Sequence, residues 1–423
     1  MSLVKNFCIS LGLSVLLAGS ACAEQIEDLV RESIQVHPSI RSAQAQLRAA
    51  ESNVVGAKWQ FAPTLSVSAE RINHSQTSDP SFSADPTVKY LRVQQPLWTG
   101  GRLTAGLQKS EYGLEVSRAN WEDARLQVTL RVIQAYGDWV VAKLKDQSNQ
   151  KSLVTHRRLH KLVLNRIEQG VAATSDEVLA LGRIEAIKAE IEVSQSQQDI
   201  ARSKLEQLVG RPVRIETYSL KAPNLDLNDV ESMYEQALVR HPGYIKAAAQ
   251  IEIQRASVAE RRAALSPEVY VRTERQIGNY TYANVPPYTR MFIGLTTNFG
   301  SGLSRLSDLD NATASLAAAT EDLETQKRSL RESLASDVSL VKAAEKRLTW
   351  LRIALKNAED VLASYERQFL AGRKSWLDVM NSVRELSQAE IALADASSSL
   401  FVIRWRLLAN VSGVDAVSEG LIP

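Results

Sequence analysis

The sequence predicts a mainly α-helical protein with a membrane β-barrel portion, built from two tandem helix-strand-strand-long helix-helix repeats. Three observations lead to this fold class: an internal repeat, an alternation between helical and strand periodicity, and long stretches without proline. Residues 37–71 align without a gap to residues 241–275 and match at 10 of 35 positions. Because this offset is close to half of the 423-residue chain, the sequence is expected to contain two copies of one unit.

The first 23 residues have the pattern of a cleaved secretory signal peptide. A lysine precedes an apolar run over 7–18, and an Ala-Cys-Ala sequence at 21–23 follows it. Both cysteines, Cys8 and Cys22, fall inside this segment, so the exported chain is expected to contain no thiol. The alternative is that Cys22 is the acylated first residue of a lipoprotein, which Gly19 disfavours because a lipobox usually has leucine there.

The rest of the chain limits the ways in which it could cross a membrane. No run of 18 apolar residues follows residue 24, so no helix is expected to span a bilayer. Strands could cross only if they closed into a barrel, because an open sheet edge is not tolerated in hydrocarbon. The formal net charge of +2 argues against a nucleic-acid partner.

Each repeat begins with a helical pattern that changes to a strand pattern. From Ile40 to Phe61, apolar or small residues recur at steps of three and four, and Pro63 ends this helix. Alternating residues then predict pairs of strands, at about 63–71 and 88–98 in the first repeat and about 267–275 and 288–299 in the second.

A very long helix follows the strands of each repeat. No proline occurs between Gly101 and Gly170, and a helix of about 65 residues reaches roughly 100 Å. A helix about half as long returns to Gly210 or Gly413. The expected divisions are therefore a signal peptide at 1–23, repeats at 24–210 and 229–413, a linker at 211–228 and a tail at 414–423.

The strands of the second repeat have one apolar and one polar face. The residues expected to face lipid are Met291, Ile293, Leu295 and Phe299. The residues expected to face a wet lumen are Tyr270, Arg272, Arg290 and Asn298. Four strands are too few for a closed barrel, which needs at least eight, so several chains are required. Two chains would give eight strands and three would give twelve, and the spacing does not choose between them.

The complete pattern resembles the TolC family of bacterial outer-membrane factors. The resemblance is carried by the signal peptide, the doubled unit, the "QQPLWTGGR" passage at 94–102, and two turns with glycine six residues before aspartate. It implies a homotrimer in the outer membrane of a Gram-negative bacterium, with a 12-stranded barrel continuous with a long periplasmic α-helical barrel. It also implies a periplasmic adaptor and an inner-membrane transporter as partners, and no cofactor.

The same resemblance assigns roles to the two helix turns. Gly170 and Gly372 would lie at the periplasmic tips, where the adaptor makes contact. Asp378 corresponds to an acid that narrows the entrance, and Asn381 stands where a second acid is expected. A polar link that keeps the entrance closed maps onto Asp176 and Lys374. An acid in the first turn of a helix is favoured in any case, so Asp176 also has a purely local explanation.

The resemblance leaves two possible export functions open, and a protein of another class is the rival interpretation. The turn "YERQFLAGRKSWLDVMNSVREL" at 365–386 is similar to that of channels for type I secretion, including those that export large adhesins; drug or toxin efflux is the sibling function. The rival is a soluble periplasmic coiled-coil structural or adaptor protein. It would have no reason to place four apolar residues on one exposed strand face. No enzyme motif occurs, and basic neighbours disfavour a metal at His156 and His160.

Overall fold

The computed structural model of the chain contains two consecutive copies of the same series of elements, which confirms the predicted mainly α-helical fold with two tandem helix-strand-strand-long helix-helix repeats. The first copy consists of α1 (Ile26–Val36), α2 (Pro38–Trp59), β1 (Thr64–Arg71), β2 (Thr87–Trp98), α3 (Arg102–Glu168) and α4 (Thr174–Val209). The second consists of α5 (Val230–Arg240), α6 (Pro242–Ala263), β3 (Glu268–Ile277), β4 (Tyr288–Thr296), α7 (Ser304–Leu370) and α8 (Trp376–Ser412), followed by α9 (Val414–Ser418). Helices α3 and α7 have 67 residues each, so both are about 100 Å long.

The structure describes residues 25–71, 85, 87–215, 217–280, 282, 284–297, 300 and 304–419. The predicted signal peptide with both cysteines lies outside the described residues, as do Asn298 and Phe299. None of the described helices has an apolar stretch long enough to cross a bilayer.

A histidine caps the same helix in each repeat. Nδ1 of His37 accepts a hydrogen bond from the backbone N–H of Ser39 at 3.2 Å, and Nδ1 of His241 accepts one from Gly243 at 3.2 Å. A proline occupies the first turn of both helices, where no backbone N–H is needed. The repeated His-Pro dipeptide therefore marks the starts of α2 and α6.

The four strands form one antiparallel sheet in the order β1-β2-β3-β4. Their bounds differ from the predicted ones by three residues or fewer, and β4 ends at Thr296 within the described residues. The register shifts between Pro96 and Trp98, next to the helices. Proline cannot donate to the ladder, so an irregularity is expected beside it.

The helices α2, α3, α4, α6, α7 and α8 pack side by side in one layer, and their contacts give the order. Away from the sheet the order is α4-α3-α8-α7, and next to the sheet it is α2-α3-α6-α7. Two half-length helices therefore stack beside each full-length helix. Within the described part of the chain, α7 contacts neither α2 nor α4, so the layer has two open edges.

The largest core lies where α1, α3, α8 and the linker meet. Tyr136, Phe401 and Trp405 are fully buried there, with ring centroids 5.5 and 6.2 Å apart along the series. The linker belongs to this core, since the Tyr136 hydroxyl accepts a hydrogen bond from the backbone N–H of Ser219 at 3.1 Å. The predicted tail does too, because α9 buries Val417 completely.

Candidate functional site

One face of the sheet is apolar and exposed. Met291, Ile293 and Leu295 are 71, 77 and 67% exposed. Their cross-strand partners are Thr273, Val271 and Val269. The same face continues across the sheet with Leu65, Val67, Leu91 and Val93, all of which are exposed. So large an apolar surface on a single folded chain marks a site that is covered by a membrane or by another protein.

The opposite face is polar and is organised around one buried carboxylate. Glu274 accepts a hydrogen bond from Nε of Arg92 at 2.5 Å, and Arg290 lies 3.7 Å from its other oxygen. Only 7% of the Glu274 side chain is exposed. Gln276 extends this network, since its side-chain oxygen accepts hydrogen bonds from Tyr288 at 2.7 Å and from Arg290 at 3.0 Å.

Aromatic rings surround the arginines of this polar face. The guanidinium of Arg272 lies 4.9 Å from the Phe292 ring centroid and 6.0 Å from that of Tyr270. Its Nε is buried without a hydrogen bond among the described residues. The register places Tyr270, Arg272 and Arg290 on the side away from Met291, so the alternation expected from the sequence is present over these positions.

The two helix turns at the far end of the molecule have the same backbone geometry. Gly170 and Gly372 have φ values of 75° and 74°, a left-handed conformation that favours glycine. The backbone N–H of the residue after each glycine donates a hydrogen bond to the carbonyl five residues earlier. Val171 donates to Arg166, and Arg373 donates to Gln368. This pattern is a Schellman motif, which satisfies the last carbonyls of α3 and α7.

The start of α8 is held by a reciprocal cap. The Ser375 hydroxyl accepts a hydrogen bond from the backbone N–H of Asp378 at 3.2 Å, and the Asp378 carboxylate accepts one from the Ser375 N–H at 3.2 Å. The hydrogen bond from the Ser375 hydroxyl, then the one from its backbone, and then the nearby Lys374 charge keep the pKa of Asp378 below its ordinary value. The proposed entrance acid is therefore ionised and serves as a helix cap.

Lys374 lies between the cap and an aromatic ring. Its Nζ is 3.9 Å from Asp378 and 4.3 Å from the Tyr365 ring centroid. Asp176, at the start of α4, makes no ion pair with any described residue of the same chain. Asn381 is exposed one turn into α8.

Arg166 joins the two turns, a role that sequence reasoning missed. Its Nη1 donates to the backbone carbonyl of Phe369 at 2.7 Å, and its guanidinium lies 4.6 Å from the Phe369 ring centroid. Phe369 in turn packs against Trp376 at 5.4 Å. The available signal was an arginine one turn before the glycine of a turn, but nothing local shows that it reaches the other hairpin.

An apolar sheet face continuous with about 100 Å of paired helices defines the class of outer-membrane channel-tunnel proteins. The chain belongs to the outer membrane efflux protein family, whose sequence profile matches residues 29–211 and 233–411, one match in each repeat. The resemblance to the TolC family is thereby confirmed.

Relatives and solved structures agree with this family. Outer membrane efflux protein BepC of Brucella suis biovar 1 (strain 1330) is 20% identical over 411 residues, which are 96% of this chain and 90% of BepC. Alkaline protease secretion protein AprF of Pseudomonas aeruginosa is 21% identical over 344 residues, 78% of this chain and 70% of AprF. The crystal structure of outer membrane protein VceC of Vibrio cholerae is similar with a TM-score of 0.80 at 19% identity, covering 92% of this chain and 96% of VceC.

The protein is accordingly an outer-membrane export channel with a periplasmic helical portion. The family and the fold are those of channel proteins and not of enzymes. They do not favour the rival interpretation as a soluble periplasmic coiled-coil or adaptor protein.

Proposed function

We propose that three copies of this chain close into one duct, with twelve strands in the outer membrane and twelve helices around a periplasmic tunnel. The observation that carries the proposal is that the sheet and the helical layer of one chain each have two edges without a neighbouring strand or helix among the described residues. β1 and β4 are the edge strands of the sheet, and α7 lies at the opposite edge of the helical layer from α2 and α4. Pairing the β4 edge of one copy with the β1 edge of the next satisfies the unpaired backbone groups.

The apolar face supports the placement of the sheet in lipid. Complete burial of a side chain such as Met291 or Ile293 stabilises by about 1.5 to 3 kcal/mol, and each would contribute little if it faced water. With these residues toward lipid, the network of Arg92, Glu274 and Arg290 faces the lumen, where water and cargo pass. Strands of 8 to 12 residues suit a tilted membrane crossing.

The cargo that we propose is a protein exported by type I secretion, which would include a large adhesin. The name of AprF, a protease secretion protein, supports this class. Efflux of small toxic molecules is the second candidate, and the name of BepC, an outer membrane efflux protein, supports efflux in general. Both functions would use a periplasmic adaptor at the tips and an inner-membrane transporter that supplies energy, as the resemblance to the TolC family implies.

The entrance is proposed to lie at the tips formed by the turns at Gly170 and Gly372. Asp378 and Asn381 would face the narrowest part of the tunnel. In the closed state we propose a latch between Asp176 and Lys374. Within one chain Lys374 is beside Asp378, so the latch requires this lysine to exchange one carboxylate for another.

Mass and conductance of the purified mature protein test this proposal. A trimer in detergent that also gives discrete single-channel steps in planar bilayers is the expected result. A monomer or dimer without conductance would refute the duct. Export assays with an unfolded protein and with a small dye, in cells that supply the partners, then separate the two cargo classes.

A further inference from the structure

The charges of the sheet are distributed unequally between its two faces. In the described strands all three acids, Glu70, Glu268 and Glu274, lie on the polar face, by the register with Arg92 and Arg272. The apolar face carries no acid in these strands. It nevertheless carries three cations, and their positions on that face require an explanation.

The three cations are Arg71 on β1, Lys89 on β2 and Arg275 on β3. Lys89 is paired with Ala69 and Ile277, so Arg71 and Arg275 are its diagonal neighbours on either side. Diagonal neighbours in a sheet are separated by about 7 to 8 Å. All three side chains are exposed, and none makes an ion pair with a described residue.

This basic cluster of Arg71, Lys89 and Arg275 lies at one end of the apolar face. On β2 the apolar face runs from Trp98, which pairs with Val269 beyond the register shift, to Leu91, roughly 24 Å along the strand at 3.4 Å per residue, and Lys89 is the next residue on that face. The cluster is at the end that is farthest from the helices. At the helix end the exposed large residues include two tryptophans, Trp59 and Trp98.

We propose that the basic cluster binds the phosphate groups of anionic lipid in the outer leaflet of the outer membrane, as in lipid A. This inference rests on the proposed function, because it needs the apolar face to contact lipid and the helices to lie in the periplasm. Cations on a lipid-facing strand are costly at the bilayer midplane and nearly neutral at its surface. Arginine also binds phosphate with a planar pair of donors, and lysine adds a point charge.

The occupant follows from the chemistry of the whole face. A soluble anion would contact the three cations and leave the adjacent Leu91 and Val67 exposed to water. A phosphorylated lipid contacts both, since its phosphates reach the cluster while its acyl chains cover the apolar residues. The three cations in each chain would give nine around a trimer.

The test measures binding of diphosphorylated lipid A to the purified mature protein in dodecyl maltoside. The variant Arg71→Gln/Lys89→Gln/Arg275→Gln is expected to bind on the order of 100-fold more weakly, at about fivefold for each basic residue near an anionic lipid surface. Lipid A from which both phosphates have been removed should bind the wild type and this variant equally. Millimolar inorganic phosphate should not displace lipid A from the wild type.

Two variants serve as matched controls. Arg71→Lys/Arg275→Lys keeps the charges and should bind within a few-fold of the wild type. Arg272→Gln removes a cation from the other face of β3 and should leave lipid A binding unchanged. If the triple variant does not assemble, the single variant Arg275→Gln tests the same proposal, and its affinity for lipid A is expected to fall about fivefold.

Equal binding of diphosphorylated lipid A by the wild type and the glutamine variants would overturn the inference, and displacement by inorganic phosphate would replace the lipid with a free anion. Mass and conductance of the same wild-type sample distinguish this failure from failure of the duct. A conducting trimer without phosphate-dependent binding refutes only the lipid site.

Discussion

At the scale of single residues, Gly137 sets how closely α3 and α8 approach. The Ser398 hydroxyl donates to the Gly137 carbonyl at 2.8 Å, and a Cβ at position 137 would overlap the side chain of Val402. In the helical pattern of the sequence, Gly137 stands where a larger apolar residue is expected. Its partner Ser398 lies 261 positions away. Local periodicity therefore locates the glycine without giving the reason for it.

We expect Gly137→Ala to destabilise the protein. Overlap with Val402 costs about 1 to 3 kcal/mol, and alanine regains about 1 kcal/mol of helix propensity, so the net loss is about 1 kcal/mol. The free energy of unfolding from urea titration measures it. Gly113→Ala, in the same helix with open space around it, is the control and should be neutral or stabilising. Adding Val402→Ala should relieve the overlap, and persistence of the full loss would exclude this cause.

The proposed latch is also a matter of single residues. Lys374→Glu and Asp176→Lys should each change the single-channel conductance, and the double variant should return toward the wild type because the pair is restored with reversed charges. Each effect is small, since an exposed pair contributes about 0 to 1 kcal/mol. Arg373→Glu with Asp176→Lys is the matched control, because Arg373 is the neighbouring exposed cation. Additive effects in the Lys374 cycle would remove the latch.

The tip shows how far sequence reasoning reaches at this scale. The glycine turns and Asp378 follow from local patterns, since a positive φ and a helix start each depend on a few adjacent residues. The contact between Arg166 and Phe369 joins residues 203 positions apart, and no short motif encodes such a contact.

At the scale of elements, the two histidine caps make α2 and α6 sensitive to pH. Burial lowers the pKa of His37 and of His241 below 6.5, with Arg131 lowering the first further and Asp123 partly opposing the shift of the second. The folded chain then binds fewer protons at these residues than the unfolded chain. Their contribution to stability is complete above pH 6.5 and is lost as the pH falls below it.

We expect the thermal midpoint to fall between pH 7.5 and about 5.5, by an amount that reflects roughly 1 kcal/mol for each cap. His37→Asn/His241→Asn should retain stability at pH 7.5, because asparagine also caps, and should reduce the fall. Some fall should remain, since burial also lowers the pKa of His156, whose Nδ1 lies 2.9 Å from the Ser152 carbonyl. An unchanged fall in the double variant would show that the caps do not contribute.

The elements themselves were largely predictable. Periods of two and of three to four residues arise from the local geometry of strands and helices, and both strand pairs and the first long helix were placed to within a few residues. The linker and α9 were not predicted as parts of the core. Their burial depends on contacts such as Ser219 with Tyr136, which are distant in sequence.

At the scale of the whole molecule, α7 and α4 each carry an exposed apolar residue at about the same distance from the helix turns. Trp350 lies 20 residues before Leu370 at the end of α7, and Val193 lies 19 residues after Thr174 at the start of α4. They are 69 and 49% exposed. Because these helices are the two open edges of the layer, the proposed trimer would bring the two side chains together between copies.

Trp350→Cys with Val193→Cys should therefore form covalent oligomers up to the trimer on mild oxidation, seen by denaturing electrophoresis. A disulfide requires Cβ atoms about 3.5 to 4.5 Å apart. Trp350→Cys with Ile200→Cys is the matched control, because Ile200 lies two turns further along the same face of α4, about 10 Å away. Equal cross-linking of both pairs, or none in a sample that is trimeric by mass, would contradict this seam.

The unequal caps of the two helix turns have a further consequence for the proposed entrance. The start of α8 is capped by reciprocal hydrogen bonds between Ser375 and Asp378. Ala173 at the start of α4 has no side chain that could accept a hydrogen bond. Amide hydrogens in the first turn of α4 should therefore exchange with solvent faster than those in the first turn of α8. In the proposed trimer, three weakly capped starts of α4 would alternate with three capped starts of α8. The entrance could then widen at the α4 positions while the α8 positions keep its shape.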